Sequence, residues 1–191
     1  MRSIFLRKCL GGAIAALLGP SLLMAVTVKE CPVRPATPES YKWNFPQETS
    51  SLFQQMIQRA HDLRNDAERL QELQSDYSVI GWQGEVPPMV RAVNDVNKMN
   101  ETLCRLRQIE RVDNAWQRRA INRITPKLIE LASYTQAAMD YLNAHPDYLF
   151  APSYNTDING IYARAAQVRR ILRSAEENAG TAAAARASNG G

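Results

Sequence analysis

The stretch ETSSLFQQMIQRAHDLRNDAERLQELQSD, residues 48–76, decides the fold. Its apolar residues recur at steps of three and four, and neither proline nor glycine interrupts them: Leu52, Met56, Ala60, Leu63, Ala67, Leu70 and Leu73. This spacing places them along one face of an α-helix. We therefore expect an amphipathic helix across residues 48–76 that buries this face against other helices.

Three more segments have the same periodicity. A second helix is predicted to follow Pro87-Pro88, since proline is favoured at helix starts, and it carries Met89, Val93, Val96, Leu103 and Leu106 on one face. A third is expected over residues 112–143 and a fourth over 156–178. No segment has the alternation of a strand. The sequence thus predicts an all-α, four-helix up-and-down bundle in one domain, residues 48–178, since short loops favour antiparallel neighbours.

The third helix contains a proline. Pro126 has no N–H to donate and its ring clashes with the preceding turn, so we expect the helix to be kinked or interrupted there. At the other end of the bundle domain, residues 179–191 have little apolar bulk and are expected to form a disordered tail.

The N-terminus resembles a secretory signal peptide. Three basic residues, Arg2, Arg7 and Lys8, precede an uncharged run of 17 residues from Leu10 to Val26. That run is shorter than the roughly 20 residues of a spanning helix. We expect export, with residues 1–25 removed. Leu23 is an unusual residue for the minus-three position, so the cut can fall a few residues away, and an uncleaved membrane anchor is the alternative.

The leader also accounts for most of the net charge. The chain has 23 basic and 19 acidic residues, a net charge of +4. Residues 1–25 contain three of the bases and no acid, so 20 bases and 19 acids remain, a net charge of +1. This balance gives no support to nucleic-acid binding. We expect a periplasmic or extracellular protein without a transmembrane span once the leader is cut.

Residues 26–47 are expected to form an extended arm, because CPVRPATPESYKWNFP (31–46) contains four prolines. Without the leader and its Cys9, two cysteines remain, Cys31 and Cys104. An exported protein can keep a disulfide, and a Cys31–Cys104 bridge would tie the arm to the second helix. The alternative is that Cys104 is simply a small buried residue.

The motifs of several chemistries are missing from the sequence. It has no C-x-x-C-H haem site, no G-x-S-x-G, no H-E-x-x-H and no phosphate-binding glycine loop. The histidines are His61 and His145, and neither follows a glutamate at minus three, as a di-iron bundle requires. We therefore predict a protein that is not an enzyme and uses no cofactor and no metal.

Cations and aromatics share one side of the third helix. On a wheel of about 100° per residue they fall within about 80°, beside the core stripe. We call this set the basic–aromatic ridge: Trp116, Arg119, Arg123, Lys127, Tyr134 and Tyr141. Such a surface fits a protein or another anionic component of the envelope. The alternative is a helix seam whose cations are neutralised by the acidic first helix, which has six acids and three arginines over residues 48–76.

Two functions follow from these patterns. The first is a non-catalytic exported bundle that acts as a scaffold, binder or chaperone-like protein of the cell envelope. The second is a sensor or carrier of a small ligand, with a pocket between the helices near Pro126 and Trp82, because gaps in bundles are common binding sites.

Overall fold

The computed structural model describes residues 25–26, 31, 45–75, 82–109, 115–145 and 151–188, without the side chains of 45, 46, 82 and 179–188. Within these residues there are four α-helices and no strand. They are α1 (Phe45–Ser75), α2 (Trp82–Ile109), α3 (Ala115–Ala144) and α4 (Pro152–Ser188). The predicted all-α four-helix bundle is confirmed.

The apolar stripes of the four helices meet in a single core. Its largest fully buried side chains come from every helix: Tyr154, Phe53, Met56, Leu63, Leu70, Met89, Met99, Leu106, Ile121, Ile124, Leu128 and Leu131. Each helix packs against two neighbours, so α1 contacts α2 and α4, and α3 contacts α2 and α4. The helices thus form a closed ring around that core.

Cross-helix contacts give the direction of each helix. Arg105, late in α2, bonds to Glu48 near the start of α1. Arg91, early in α2, bonds to Asp66 towards the end of α1. Helices α1 and α2 are therefore antiparallel, as their short connection favours.

Several boundaries differ from those predicted. Helix α1 begins inside the predicted arm, and α2 begins at Trp82, five residues before Pro87, which puts Glu85 in its first turn. An acid there is favoured by the helix dipole. Helix α4 continues to Ser188, across ten residues of the predicted disordered tail. Alanine dominates that stretch and has the highest helix propensity of all residues, which accounts for the longer helix.

Helix α3 runs through Pro126 without a break. The Thr125 hydroxyl donates to the carbonyl oxygen of Ile121, 2.8 Å away. Pro126 cannot donate to the carbonyl of the preceding turn. Helix α3 is therefore not interrupted at the proline, and a kink there stays a prediction.

A disulfide joins Cys31 to Cys104, as one of the two sequence interpretations predicts. The Cα atoms are 5.0 Å apart, within the range that a disulfide spans. Because 73 residues separate the two cysteines, the bridge ties the segment before α1 to the far part of α2.

Candidate functional site between helices α3 and α4

A groove lies between the first half of α3 and the last half of α4. Its volume is about 430 Å³. Helix α3 contributes Trp116, Arg119, Ala120 and Arg123, and helix α4 contributes Ile171, Ser174, Ala175 and Asn178. Three of the six residues of the basic–aromatic ridge therefore line one cavity.

Small side chains explain why the two helices leave this space. Ala120 on α3 and Ser174 and Ala175 on α4 are too short to fill the gap between the backbones. Tight helix packing requires interdigitating side chains of matched volume. The groove thus has a floor of small and apolar groups, with longer side chains at its rim.

The arginines give the groove its positive charge. Arg119 and Arg123 are both exposed and lie one helical turn apart. Among the described residues, neither has a carboxylate oxygen within 4.0 Å of its guanidinium nitrogens. A guanidinium presents five N–H donors in a planar fork that matches carboxylate and phosphate. The groove can therefore receive an anionic group with two such forks.

Trp116, near the start of α3, lines the groove and contacts the core. Its ring meets that of Phe53 edge to face, with centroids 5.9 Å apart and planes at 68°. Phe53 belongs to α1 and is fully buried, so this contact anchors the tryptophan to the core. Trp116 is thus both a seam residue, as the alternative interpretation predicts, and a rigid apolar wall of the groove.

The other ridge residues lie outside the groove. The Lys127 ammonium donates to Glu130, 2.8 Å away, and Glu130 also pairs with Arg164 of α4. Lys127 and Arg164 hold the pKa of the Glu130 carboxyl below its usual value. Tyr134 lies flat against α4, where a Cβ atom placed on Gly160 would be 2.6 Å from its ring. The charge of Lys127 is therefore already compensated, and Tyr134 acts in helix packing.

Trp82 is the first residue of α2, and its side chain is outside the described part of the molecule. The start of α2 lies at the end of the bundle where α3 finishes and α4 begins. The groove is at the opposite end. The described cavity therefore does not involve Trp82 or Pro126, where the sequence predicts a pocket.

A buried polar contact lies at that far end. The Tyr154 hydroxyl donates to the Glu85 carboxylate, 2.6 Å away, and both residues are almost completely buried. Burial raises the pKa of Glu85, and the hydrogen bond from Tyr154 opposes this effect. Burial and the nearby carboxylate also raise the pKa of Tyr154. The Tyr154 ring stacks on Tyr141, with centroids 5.4 Å apart.

Neither half of this contact is among the site residues predicted from the sequence, although the sequence contains a signal for both. Glu85 precedes Met89 by four residues and Tyr154 precedes Ile158 by four, so each extends an apolar stripe by one turn. A polar residue in register with a stripe indicates a buried group that needs a partner. The groove residues on α4 gave no such signal, because serine, alanine and asparagine are ordinary on a helix surface.

The described lining of the groove consists of guanidinium, indole, hydroxyl, amide and aliphatic groups. No histidine, cysteine or carboxylate lines it within the described chain, so Ser174 has no general base beside it. The described residues also contain no group of three or more side chains that could hold a metal ion. Over the same residues, no helix combines the length and the apolar character needed to cross a membrane.

Comparison of the chain with protein-family models, curated proteins and solved structures gives no match.

Proposed function

We propose that the protein is an exported, non-catalytic binding protein of the cell envelope, with the role of a scaffold or chaperone-like adaptor. Its groove between α3 and α4 would hold an acidic segment of a partner protein. One observation carries the proposal: Arg119 and Arg123 line a groove of about 430 Å³ and have no described carboxylate partner.

Export is supported by the N-terminal sequence and by the cysteines. Residues 1–25 have the basic start and short apolar run of a signal peptide. The Cys31–Cys104 disulfide suits the periplasm or the extracellular space, where such bonds persist. Retention of the leader as an N-terminal membrane anchor is the alternative to cleavage.

A protein partner is favoured by the shape and composition of the site. Arg119 and Arg123 lie one turn apart, with Cβ atoms about 6 Å from each other, which matches the spacing of acidic side chains on a helix or an extended segment. Trp116 packs edge to face on the buried Phe53, and an aromatic ring that is already packed loses less entropy on binding. Tryptophan and arginine are also the side chains that most often dominate binding energy at interfaces.

Affinity capture from an envelope extract tests the proposal. The wild type is compared with Arg119→Glu/Arg123→Glu, which reverses the charge of the groove and adds no bulk to its floor. We expect the double variant to lose those partners that the wild type releases on raising the salt concentration, since exposed charge pairs are screened by salt.

A matched control has the same change in net charge at other sites. Arg118→Glu/Arg69→Glu alters two exposed arginines on α3 and α1 that do not line the groove. This variant should keep the same partners as the wild type. Identical partner lists for all three proteins would remove the groove from the proposed function.

A carrier or sensor of a small anionic ligand is the second candidate. The groove volume of about 430 Å³ lies within the range of small-molecule pockets, roughly 300–1,000 Å³. This function predicts that an anionic metabolite raises the melting temperature of the wild type and not that of Arg119→Glu/Arg123→Glu. A protein partner predicts no such rise in a metabolite screen, so the two functions are separated by one measurement.

We also propose that Pro126 bends α3 and that the segment before α1, residues 26–44, forms an extended arm. A bend at Pro126 would direct the first half of α3, with Arg119 and Arg123, away from α4 and so keep the groove open. Pro126→Ala should straighten the helix and weaken binding at the groove. Residues 27–30 and 32–44 of the arm lie outside the described part of the chain.

A further inference from the structure

The backbone of Val26 is bound to the outside of the bundle. Its nitrogen donates to Oε1 of Gln136 on α3, 2.7 Å away. Its side chain is partly buried and packs against the core. On the other side of the α2–α3 seam, the side-chain amide of Asn97 lies 3.4 Å from the carbonyl oxygen of Ala25. The peptide bond between Ala25 and Val26 is thus held between two helices.

Asp140 fixes the orientation of the Gln136 side chain. The amide nitrogen of Gln136 donates to Oδ1 of Asp140, 2.7 Å away, one turn further along α3. Because the amide nitrogen is engaged by the carboxylate, the amide oxygen is turned towards Val26. The seat for the Val26 nitrogen therefore consists of an oriented acceptor backed by an exposed negative charge.

We infer that Ala25–Val26 is the processed bond and that Gln136 and Asp140 form a receptor for the α-ammonium group that processing creates on Val26. This inference rests on the export proposed above. A signal peptidase of the host would hydrolyse the bond: water supplies a hydroxyl to the carbonyl carbon of Ala25 and a hydrogen to the nitrogen of Val26. That amine then takes up a proton from solvent.

The seat suits an ammonium group better than an amide. An amide nitrogen donates one hydrogen bond, whereas an ammonium donates three and carries a positive charge. The Gln136 side chain already accepts a hydrogen bond from the Val26 nitrogen at 2.7 Å, and Asp140 in turn accepts a hydrogen bond from Gln136. Release of Ala25 also removes the carbonyl that Asn97 contacts, so the new amine is held by Gln136.

Cys31 provides a second attachment for the same segment. Asn97 and Cys104 are seven residues apart on α2, about 10 Å along the helix axis. Val26 and Cys31 are five residues apart, and five residues reach at most about 17 Å. The start of the mature chain would therefore be fixed at Gln136 by its charge and at Cys104 by the disulfide.

The first test is the mass of the mature protein. The full chain is expressed with its leader in a bacterial host, recovered from the envelope fraction and measured intact. We expect a disulfide-bonded protein that lacks the first 25 of its 191 residues. A mature chain cut at another bond overturns the inference and leaves export standing. A full-length chain confined to the cytoplasm overturns both.

The second test is the titration of the Val26 amine, followed by the chemical shift of its own Cα. We expect its pKa to lie above the ordinary range of about 7.7–8.0, because Gln136 and Asp140 favour the charged form. Asp140→Asn should lower that pKa and Gln136→Glu should raise it further. Neither change alters the size of the side chain, so both variants are expected to fold.

A second glutamine–aspartate pair provides the control. On α1, the amide nitrogen of Gln58 donates to Oδ1 of Asp62 one turn further along, at 2.9 Å, with the same spacing and the same atoms as in Gln136 and Asp140. Asp62→Asn should leave the Val26 pKa unchanged. Gln136→Leu is expected to lower the melting temperature of the processed protein by about 2–4 °C and Gln58→Leu to lower it less. Equal effects at the two pairs would show that the mature start is not seated on Gln136.

Discussion

The α1–α2 seam and the α3–α4 seam use charge in opposite ways. On the α1–α2 side, three arginines bond across to carboxylates of the other helix, in the pairs Arg59–Asp95, Arg91–Asp66 and Arg105–Glu48. On the α3–α4 side, the one described ion pair between the two helices joins Glu130 to Arg164. Two further cations, Arg119 and Arg123, line the groove instead.

The difference indicates that charges on the α1–α2 side serve helix packing, whereas Arg119 and Arg123 on the α3–α4 side are available for binding. Paired charges along α1 and α2 set the register of two helices while contributing little free energy each. Among the described residues, Arg119 and Arg123 have no carboxylate partner, so they set no such register and repel each other. Their place in an open groove is explained if another molecule supplies the missing carboxylates. The comparison thus locates the proposed binding function in the half of the bundle made by α3 and α4.

The largest expected effect is on the α2 side, where the Cys31–Cys104 disulfide adds a covalent link. Cys31→Ser/Cys104→Ser should lower the free energy of unfolding by about 4 kcal/mol, because the bridge closes a loop of 73 residues in the unfolded chain. Urea denaturation of the oxidised protein and the variant measures the difference. Reductant should destabilise the wild type and leave the variant unchanged. An unchanged wild type would mean that the bridge adds no stability.

The α3–α4 seam depends on close packing, and Gly160 is its most sensitive position. Gly160→Ala adds a Cβ atom 2.6 Å from the Tyr134 ring. Overpacking costs about 1–3 kcal/mol, and replacing a helical glycine returns up to about 1 kcal/mol. We expect a net loss of roughly 1–2 kcal/mol in thermal unfolding.

Tyr134→Ala provides the matched background for this change. With the ring removed, Gly160→Ala should become neutral or stabilising, because only the gain in helix propensity remains. If Gly160→Ala costs the same in both backgrounds, Tyr134 does not limit the approach of α4 to α3.

The buried Glu85 links the two halves of the bundle, and its effect depends on pH. Its pKa is raised above 4.5 in the folded protein, mainly by burial. Between pH 4.5 and that raised value the folded chain binds more protons than the unfolded chain, so the free energy of unfolding falls as pH rises. Glu85→Gln carries no charge and keeps an acceptor for the Tyr154 hydroxyl. We expect it to be more stable than the wild type at pH 7 by roughly 1 kcal/mol.

The pH profile from 4 to 8 checks this assignment. Burial also raises the pKa values of Asp95, Asp157 and Glu176, so the wild-type slope should decrease in Glu85→Gln without vanishing. Glu72→Gln makes the same change at an acid of α1 whose side chain is 62% exposed and serves as the comparison. Parallel profiles for the wild type and Glu85→Gln would show that Glu85 does not titrate differently on folding.

The periodicity of apolar residues predicted all four helices. A helix that packs on a core needs a continuous apolar face, and such a face appears in the sequence as apolar residues with a period of about 3.6. This periodicity placed the boundaries less well. The helix ends at Phe45, at Trp82 and in the alanine-rich part of α4 depend on local effects, namely helix propensity and the residues of the first turn. The pattern of buried apolar residues does not contain this information. The periodicity of one helix therefore gives its buried side and leaves its ends uncertain.

The sequence predicted the α3 side of the candidate site but not its α4 side. A helical wheel groups Trp116, Arg119 and Arg123, since these belong to one helix. A helical wheel does not show which charged side chains are already paired. The predicted set therefore also included Lys127, whose charge is compensated by Glu130. The α4 wall of the groove depends on how two helices approach each other. That approach is a feature of the tertiary structure and cannot be predicted from the sequence of either helix alone.

The smallest expected effect concerns a single ion pair of the α1–α2 seam. Asp66 is 8% exposed and accepts two hydrogen bonds from Arg91, at 2.6 and 2.9 Å. Arg91→Ala should cost up to about 1 kcal/mol, because the carboxylate it leaves is largely shielded from water. Arg69→Ala breaks a pair with Glu72 in which both side chains are more than half exposed, so its cost should be close to zero.

Denaturant unfolding at low and high salt compares the stabilities of Arg91→Ala and Arg69→Ala. Equal costs would mean that the α1–α2 pairs are ordinary surface contacts and that the contrast between the two seams has no energetic basis.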